Sequence, residues 1–208
     1  MYSYVAFEGV IGAGKTTYTK VLAEEYQAKQ LLEIYEDNPF LEQFYSDTDK
    51  FAFPLELSFL ASRYDQLKNV LESKEDLFQN KIFSDFVLYK SLVFASINLS
   101  GDKLALYKKL FNIMFLKMPI PDVTIYLQLP IDRLQENIAK RGRSYEMKIP
   151  NEYLENLQEN YLSYFKQLSQ HKIVIFDVRK HDILTNPHTK ETLKEILNTP
   201  FQKGITYI

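Results

Sequence analysis

The residues with the clearest chemistry lie near the start of the chain, in Gly9-Val10-Ile11-Gly12-Ala13-Gly14-Lys15-Thr16. The stretch has the form G-x-x-x-x-G-K-[ST], whose physics is anion binding. Glycines let the backbone close around phosphates with its amides pointing inward. A helix opening behind the loop aims its positive end at the same anion. Lys15 is then placed to reach the outer phosphates, and Thr16 to offer a hydroxyl to Mg²⁺. The expected ligand is a nucleoside triphosphate with Mg²⁺, contacted by Gly9, Gly12, Ala13, Gly14, Lys15, Thr16 and the adjoining Thr17.

Further candidates follow along the chain. Glu33-Ile34-Tyr35-Glu36-Asp37-Asn38-Pro39 carries three acids. One of them could take a proton from an attacking hydroxyl, although spacing alone fits a solvated acidic loop equally well. Glu33 sits inside an apolar run and is the least comfortable there as a bystander. Glu56 and Arg63 interrupt an apolar segment seven residues apart, on one helical face. They suit a pocket that reads a polar ligand, or a buried ion pair, or two rim charges. Asp85 follows Ile82-Phe83-Ser84 as a strand-end carboxylate for Mg²⁺, preferred over Asp177 after Ile173–Phe176 because the third strand is expected beside the first, whereas Asp177 could simply begin a loop. Arg133 precedes Lys140-Arg141-Gly142-Arg143-Ser144-Tyr145-Glu146. Cations clustered at a helix end suit a lid that closes over transferring phosphates, or they complement the helix dipole.

Elements that would position these residues can be read from the pattern. Five apolar runs predict strands at Tyr2–Phe7, Leu31–Tyr35, Lys81–Ser84, Val123–Leu129 and Ile173–Phe176. Their uniform apolarity suits a parallel sheet covered on both faces. Helical periodicity predicts helices at about 15–27, 52–73, 87–99, 102–117, 131–140, 151–169 and 189–198. The alternation predicts an α/β fold of three layers, a single domain over 1–208 with a central five-stranded parallel sheet flanked by helices and a short arginine-rich lid at about 140–149. Ligands in such folds sit beyond the carboxyl ends of the strands, where the candidates above fall.

Composition narrows the partners. Net charge is −2, so no broad basic surface for nucleic acid is implied. There are 0 cysteines, which excludes disulfides, thiolate metal sites and cysteine nucleophiles. No stretch has the length and apolarity of a membrane span, and the chain enters a strand without a signal-like segment. The expectation is a cytoplasmic protein acting on small molecules. The three histidines, His171, His181 and His188, show no ligand spacing and are expected at the surface.

Together and in this order, the Gly12–Thr16 loop, the Glu36-Asp37-Asn38-Pro39 run and Lys140-Arg141-Gly142-Arg143 resemble the deoxyribonucleoside kinase family, most of all its bacterial deoxyguanosine and deoxyadenosine kinases. The resemblance runs from Tyr4 to about Leu197. It implies ATP-dependent phosphorylation of a deoxyribonucleoside at its 5′-hydroxyl. By its pattern Glu33 is the general base, and Tyr45 and Glu146 bind the sugar 3′-hydroxyl. Arg141 and Arg143 are the lid arginines, Arg63 contacts the base, and Asp182 lies in the segment that holds the donor adenine. The resemblance also implies a homodimer, with helices 87–99 and 102–117 as the contact.

Two positions depart from the family pattern. The D/E-R-S motif reads Asp85-Phe86-Val87, without its arginine; Lys90 lies one turn on and could place a cation nearby. Glu56 stands where most members carry a glutamine. An ionised carboxylate only accepts hydrogen bonds, whereas guanine presents two donors on its pairing edge. The substrate expectation is therefore deoxyguanosine. The alternatives are deoxyadenosine or a broader range, and less favoured is a nucleoside monophosphate such as thymidylate, whose acceptor pocket would need cations rather than acids. A guanine-nucleotide switch would need an N/T-K-x-D motif, which is absent.

Overall fold

In a computed structural model, which describes residues 2–35, 38–72, 81–116 and 118–208, the expected alternation of strands and helices forms around one parallel sheet. Glu36, Asp37, Ser73 and Lys117 lie outside the described residues. β1 (Tyr4–Glu8), β2 (Lys29–Leu31), β3 (Ile82–Ser84), β4 (Val123–Gln128), β5 (Lys172–Asp177) and β6 (Gly204–Tyr207) pair in the order β2-β3-β1-β4-β5-β6. All five pairings are parallel. Every residue of β1 and of β3 is buried, as expected for strands covered on both faces.

The sheet has six strands among the described residues rather than the expected five. β6 is a short edge strand of four residues, half-buried, and pairs only with β5. A half-covered edge needs no apolar run, so composition did not mark it. β2 also differs, ending at Leu31 where a strand to Tyr35 was expected. Past Leu31 the backbone groups bond to side chains instead of a ladder. Gln66 Nε2 donates to Leu32 O at 2.7 Å, and Glu33 N donates to Asp85 Oδ1 at 2.7 Å. The chain therefore leaves the sheet two residues before Glu33.

The helices are α1 (Lys15–Glu25), α2 (Leu41–Ser46), α3 (Thr48–Glu72), α4 (Lys90–Asn98), α5 (Gly101–Phe115), α6 (Ile131–Arg141), α7 (Asn151–Gln167) and α8 (His188–Asn198). α3 begins four residues earlier than expected and runs through Pro54. Proline in a helix forfeits one backbone bond, here the one that residue 54 would donate to the Lys50 carbonyl. α6 buries Leu134 and Ile138 and stops at Gly142, whose φ of 73° is left-handed. That stop turns the chain sharply into Arg143–Glu146. Two histidines depart from the surface expectation. His171 packs edge-on against Tyr89 at 6.1 Å and His181 packs on Phe176 at 4.9 Å, while His188 is exposed.

Candidate active site

The glycine-rich loop leaves β1 at Glu8 and enters α1 at Lys15. Gly12 and Gly14 hold φ of 87° and 90°, in the left-handed region. A Cβ on Gly12 would lie 2.6 Å from Leu134 O on α6, so only glycine fits there. Asn137 Nδ2, one turn on in α6, donates to Gly12 O at 2.8 Å. The loop and the helix that leads into the Arg141–Arg143 segment are thus fastened together. Lys15 Nζ donates to Gly9 O at 2.9 Å and Val10 O at 3.2 Å. Burial lowers its pKa to about 8, with Lys90 acting in the same direction.

Glu8, absent from the expectations, fixes the loop from below. Its fully buried carboxylate accepts from Val87 N at 3.0 Å, Tyr161 OH at 2.9 Å and Gly9 N at 3.2 Å. Burial raises its pKa. A lone acid at the end of a buried strand was the available signal.

Asp85 lies where β3 ends. Thr16 Oγ1 donates to its Oδ2 at 2.5 Å, and Glu33 N to its Oδ1. Hard oxygen atoms side by side suit Mg²⁺. No cluster of three or more His, Asp or Glu that could hold a metal occurs among the described residues. The Thr16–Asp85 pair thus fits an ion that arrives already bound to a nucleotide.

Glu33 is met by two cations. Arg63 Nε and one terminal nitrogen lie 2.7 Å from Oε1, and Lys90 Nζ lies 2.7 Å from Oε2. Burial would raise the pKa of Glu33, but Arg63 and Lys90 outweigh it and hold the carboxyl at about 2. The remaining Arg63 nitrogen donates to Ser91 Oγ at 2.7 Å, and the guanidinium sits 4.9 Å from the Phe59 ring centre. Arg63 therefore turns to Glu33, and not to Glu56 as spacing on one face allowed. Glu56 takes its hydrogen bond from Asn98 Nδ2 at 2.7 Å. Neither Asn98 nor Ser91 was expected; both sit in the apolar helix α4, where a polar side chain is the sign of a buried contact.

The arginine-rich segment follows α6. Arg141 pairs with Glu146 Oε2, and Arg143 lies 3.1 Å from Glu146 Oε1. Arg143 also stacks 3.7 Å over the Tyr35 ring centre, and Tyr145 stacks on Tyr45 at 5.8 Å. Arg133 pairs with Glu136. Asp182 caps a turn after β5, accepting from Leu184 N at 2.8 Å.

A single cavity of about 560 Å³ gathers these groups. It is lined by Gly12–Thr17, Lys140, Arg141 and Asp182, and by Glu33, Tyr45, Glu56 and Arg63. Asp85, Lys90, Arg143 and Glu146 also line it. The described candidates thus meet in one cleft, except Gly9, which supports it from the loop's base, and Asp177, which pairs with Arg179 and is not among the lining residues. The arrangement brings a glycine-rich anion-binding loop and a clamped carboxylate into one pocket.

The sequence profile described as "Deoxynucleoside kinase" matches residues 5–201. The chain is 38% identical over 170 residues to a deoxyguanosine kinase of Bacillus subtilis, covering 80% of each protein. It is 28% identical over 194 residues to the deoxyadenosine/deoxycytidine kinase of that organism, covering 92% of this chain and 89% of the relative. The solved structure of deoxyadenosine kinase from M. mycoides with bound dATP superposes with a TM-score of 0.80 at 28% identity, over 95% of this chain and 100% of that one. This chain belongs to the deoxynucleoside kinase family. It is accordingly a phosphotransferase, a deoxyribonucleoside kinase with an alcohol acceptor.

Proposed function

We propose that the chain is a deoxyguanosine kinase using ATP and Mg²⁺. The observation that carries the base assignment is Glu56, a buried carboxyl lining the acceptor end of the cavity with Asn98, not a cation, on it. An ionised Glu56 accepts from guanine N1–H and the 2-amino group. Three of the five Arg63 N–H donors are committed to Glu33 and Ser91, and the other two are available to guanine O6 or N7. Tyr45 and Glu146 bind the 3′-hydroxyl. The 38% identity to a deoxyguanosine kinase supports this reading.

In the proposed reaction the 5′-oxygen forms a bond to the γ-phosphorus as the bond from that phosphorus to the bridging oxygen breaks and ADP leaves. Glu33 orients the hydroxyl and accepts its proton. A carboxylate at about 2 binds protons weakly, which suits a loose transition state in which the hydroxyl proton departs late. Lys15, Arg141 and Arg143 neutralise charge on the equatorial oxygens. Thr16 and Asp85 would hold Mg²⁺, which would supply positive charge against the negative charge of the donor's phosphates, and the loop of Asp182 would hold the donor adenine. The protein would act as a cytoplasmic homodimer through α4 and α5, where Leu106 and Ile113 are exposed; no described helix is long and apolar enough to cross a membrane.

The alternative is a deoxyadenosine kinase, favoured by the 28% identity to the M. mycoides enzyme. Steady-state assays with ATP, Mg²⁺ and each of deoxyguanosine, deoxyadenosine and deoxycytidine separate the two. Deoxyguanosine is expected to lead in kcat/KM by ~10-fold or more at slightly alkaline pH. A lead for deoxyadenosine would select the alternative.

A further inference from the structure

Glu56 has two oxygens in different situations. Oε1 accepts from Asn98 Nδ2 at 2.7 Å, and Asn98 Oδ1 accepts from Tyr153 OH at 3.2 Å. A tyrosine hydroxyl donating to Asn98 requires the amide's oxygen on that side, so its N–H₂ faces Glu56. Oε1 is thereby fixed as an acceptor. Any proton that Glu56 takes up must sit on Oε2, which carries no hydrogen bond among the described residues while Glu56 lines the cavity.

The ionisable neighbours come from each helix around it and from the segment after β2. They are Arg63 on α3, Lys90 on α4, Tyr107 on α5, Tyr153 on α7, and Glu33. Tyr107 OH donates to the backbone oxygen of Glu56 at 3.3 Å, not to its carboxyl. Arg63 and Lys90 place their direct contacts on Glu33. Glu56 is thus a buried acid without a cation in contact. Burial raises its pKa to about 7, against the smaller opposing effects of Asn98, Arg63 and Lys90.

We propose that Glu56 is a proton-gated base selector whose free oxygen is assigned by the Asn98–Tyr153 relay. Ionised, Oε2 accepts from the N1–H and 2-amino donors of guanine. Protonated, Oε2–H donates to the N1 acceptor of adenine, as a glutamine amide would in the same place. The proposal rests on the reading of Glu56 as a base contact. Protonated Glu56 dominates below its folded pKa and disappears above it. Deoxyadenosine is therefore served on the acid side of neutrality and deoxyguanosine on the alkaline side. Asn98 and Tyr153 are positioning residues in this scheme.

The test is the ratio of kcat/KM for deoxyguanosine over deoxyadenosine, from about pH 5.5 to about pH 9, a range that brackets the transition. Titrations of Lys15 and of the donor phosphates are common to both substrates and cancel in the ratio. The wild-type ratio is expected to rise ~10-fold per pH unit, the slope of one required proton, and to be flat in Glu56→Gln. Tyr153→Phe, which keeps the ring and loses the donor, shifts the wild-type line along the pH axis. Asn98→Leu shifts it to higher pH, because the ionised form loses its donor. A wild-type ratio that is flat and favours deoxyguanosine, but collapses in Glu56→Gln, would overturn the proton gate and leave the base contact standing. A flat ratio that Glu56→Gln does not change would overturn both.

Discussion

Lys90 Nζ and Glu33 Oε2 lie 2.7 Å apart, in a chain whose strand-end motif reads Asp85-Phe86-Val87 and lacks an arginine. The cation has been supplied from one turn further on, inside α4. With Arg63 on the other oxygen, Glu33 is clamped from two sides. A depressed carboxylate stays ionised until the pH falls toward its folded pKa of about 2. The kcat profile is therefore expected to show no acid limb from Glu33 between about pH 4 and 6, the range of an ordinary glutamate. Glu33→Gln should lower kcat by ~100- to 10,000-fold and leave nucleoside affinity nearly unchanged. An acid limb in that range that vanishes in Glu33→Gln would contradict the clamp.

Removing Lys90 tests the clamp separately. Lys90→Met leaves Arg63 in place, so the loss of stability should fall below the ~3–5 kcal/mol of a buried charge left wholly unpaired. It should also raise the pKa of Glu33 and bring an acid limb into view. Lys90→Arg is expected to restore both stability and profile. Urea unfolding and the pH dependence of kcat are the measurements; a Lys90→Met protein with wild-type values for both would show that Arg63 suffices.

Lys15→Ala should abolish phosphoryl transfer while the chain stays folded by circular dichroism, because the transition state is stabilised mainly by positioned charge. Near-normal turnover in a folded Lys15→Ala protein would remove the glycine-rich loop from the chemistry.

Arg141 and Arg143 meet on Glu146. Alanine at either position is expected to cut kcat more than nucleoside affinity. Limited proteolysis across 141–148 should slow when a bisubstrate inhibitor is added. Cleavage at an unchanged rate would describe a fixed loop instead of a lid.

Glu56 also carries a stability signature independent of catalysis. Its pKa is raised in the folded state, so the native protein binds a proton that the unfolded chain releases. The associated stability is fully present below the unfolded value near 4.5 and is lost as pH rises through about 7. The loss amounts to at most about 3 kcal/mol. Glu56→Gln should abolish that fall and unfold at a higher temperature than wild type above neutrality. Parallel stability-pH curves for the two proteins would place the titration elsewhere.

The strand, loop and first helix were legible because their signals are local: an apolar run, fixed glycine spacing, then helical period. Helix-face arithmetic also brought Glu56 and Arg63 toward one pocket. What it could not assign was the neighbour each would choose, and Arg63 went to Glu33 across thirty residues of chain. Ser91 and Asn98 were obscured for a related reason. Their helix reads as apolar core, and only packing reveals which polar groups it turns inward. β6 escaped because an edge strand has one neighbour and can afford mixed residues. β2 was placed too late because its apolar run continues after its ladder has ended.

Asp85 gives the site a fixed spacing. One of its oxygens is bonded to the Thr16 hydroxyl of the phosphate loop and the other to the Glu33 amide. A single planar group with no freedom in its length therefore sets how far the donor half stands from the acceptor half. Asp85→Glu keeps the charge and both oxygens but adds one methylene to this ruler. Reacting atoms displaced by ~1 Å can lose about 100-fold in rate, so in the proposed reaction the gap between phosphorus and hydroxyl would be gauged by the shortness of this one side chain.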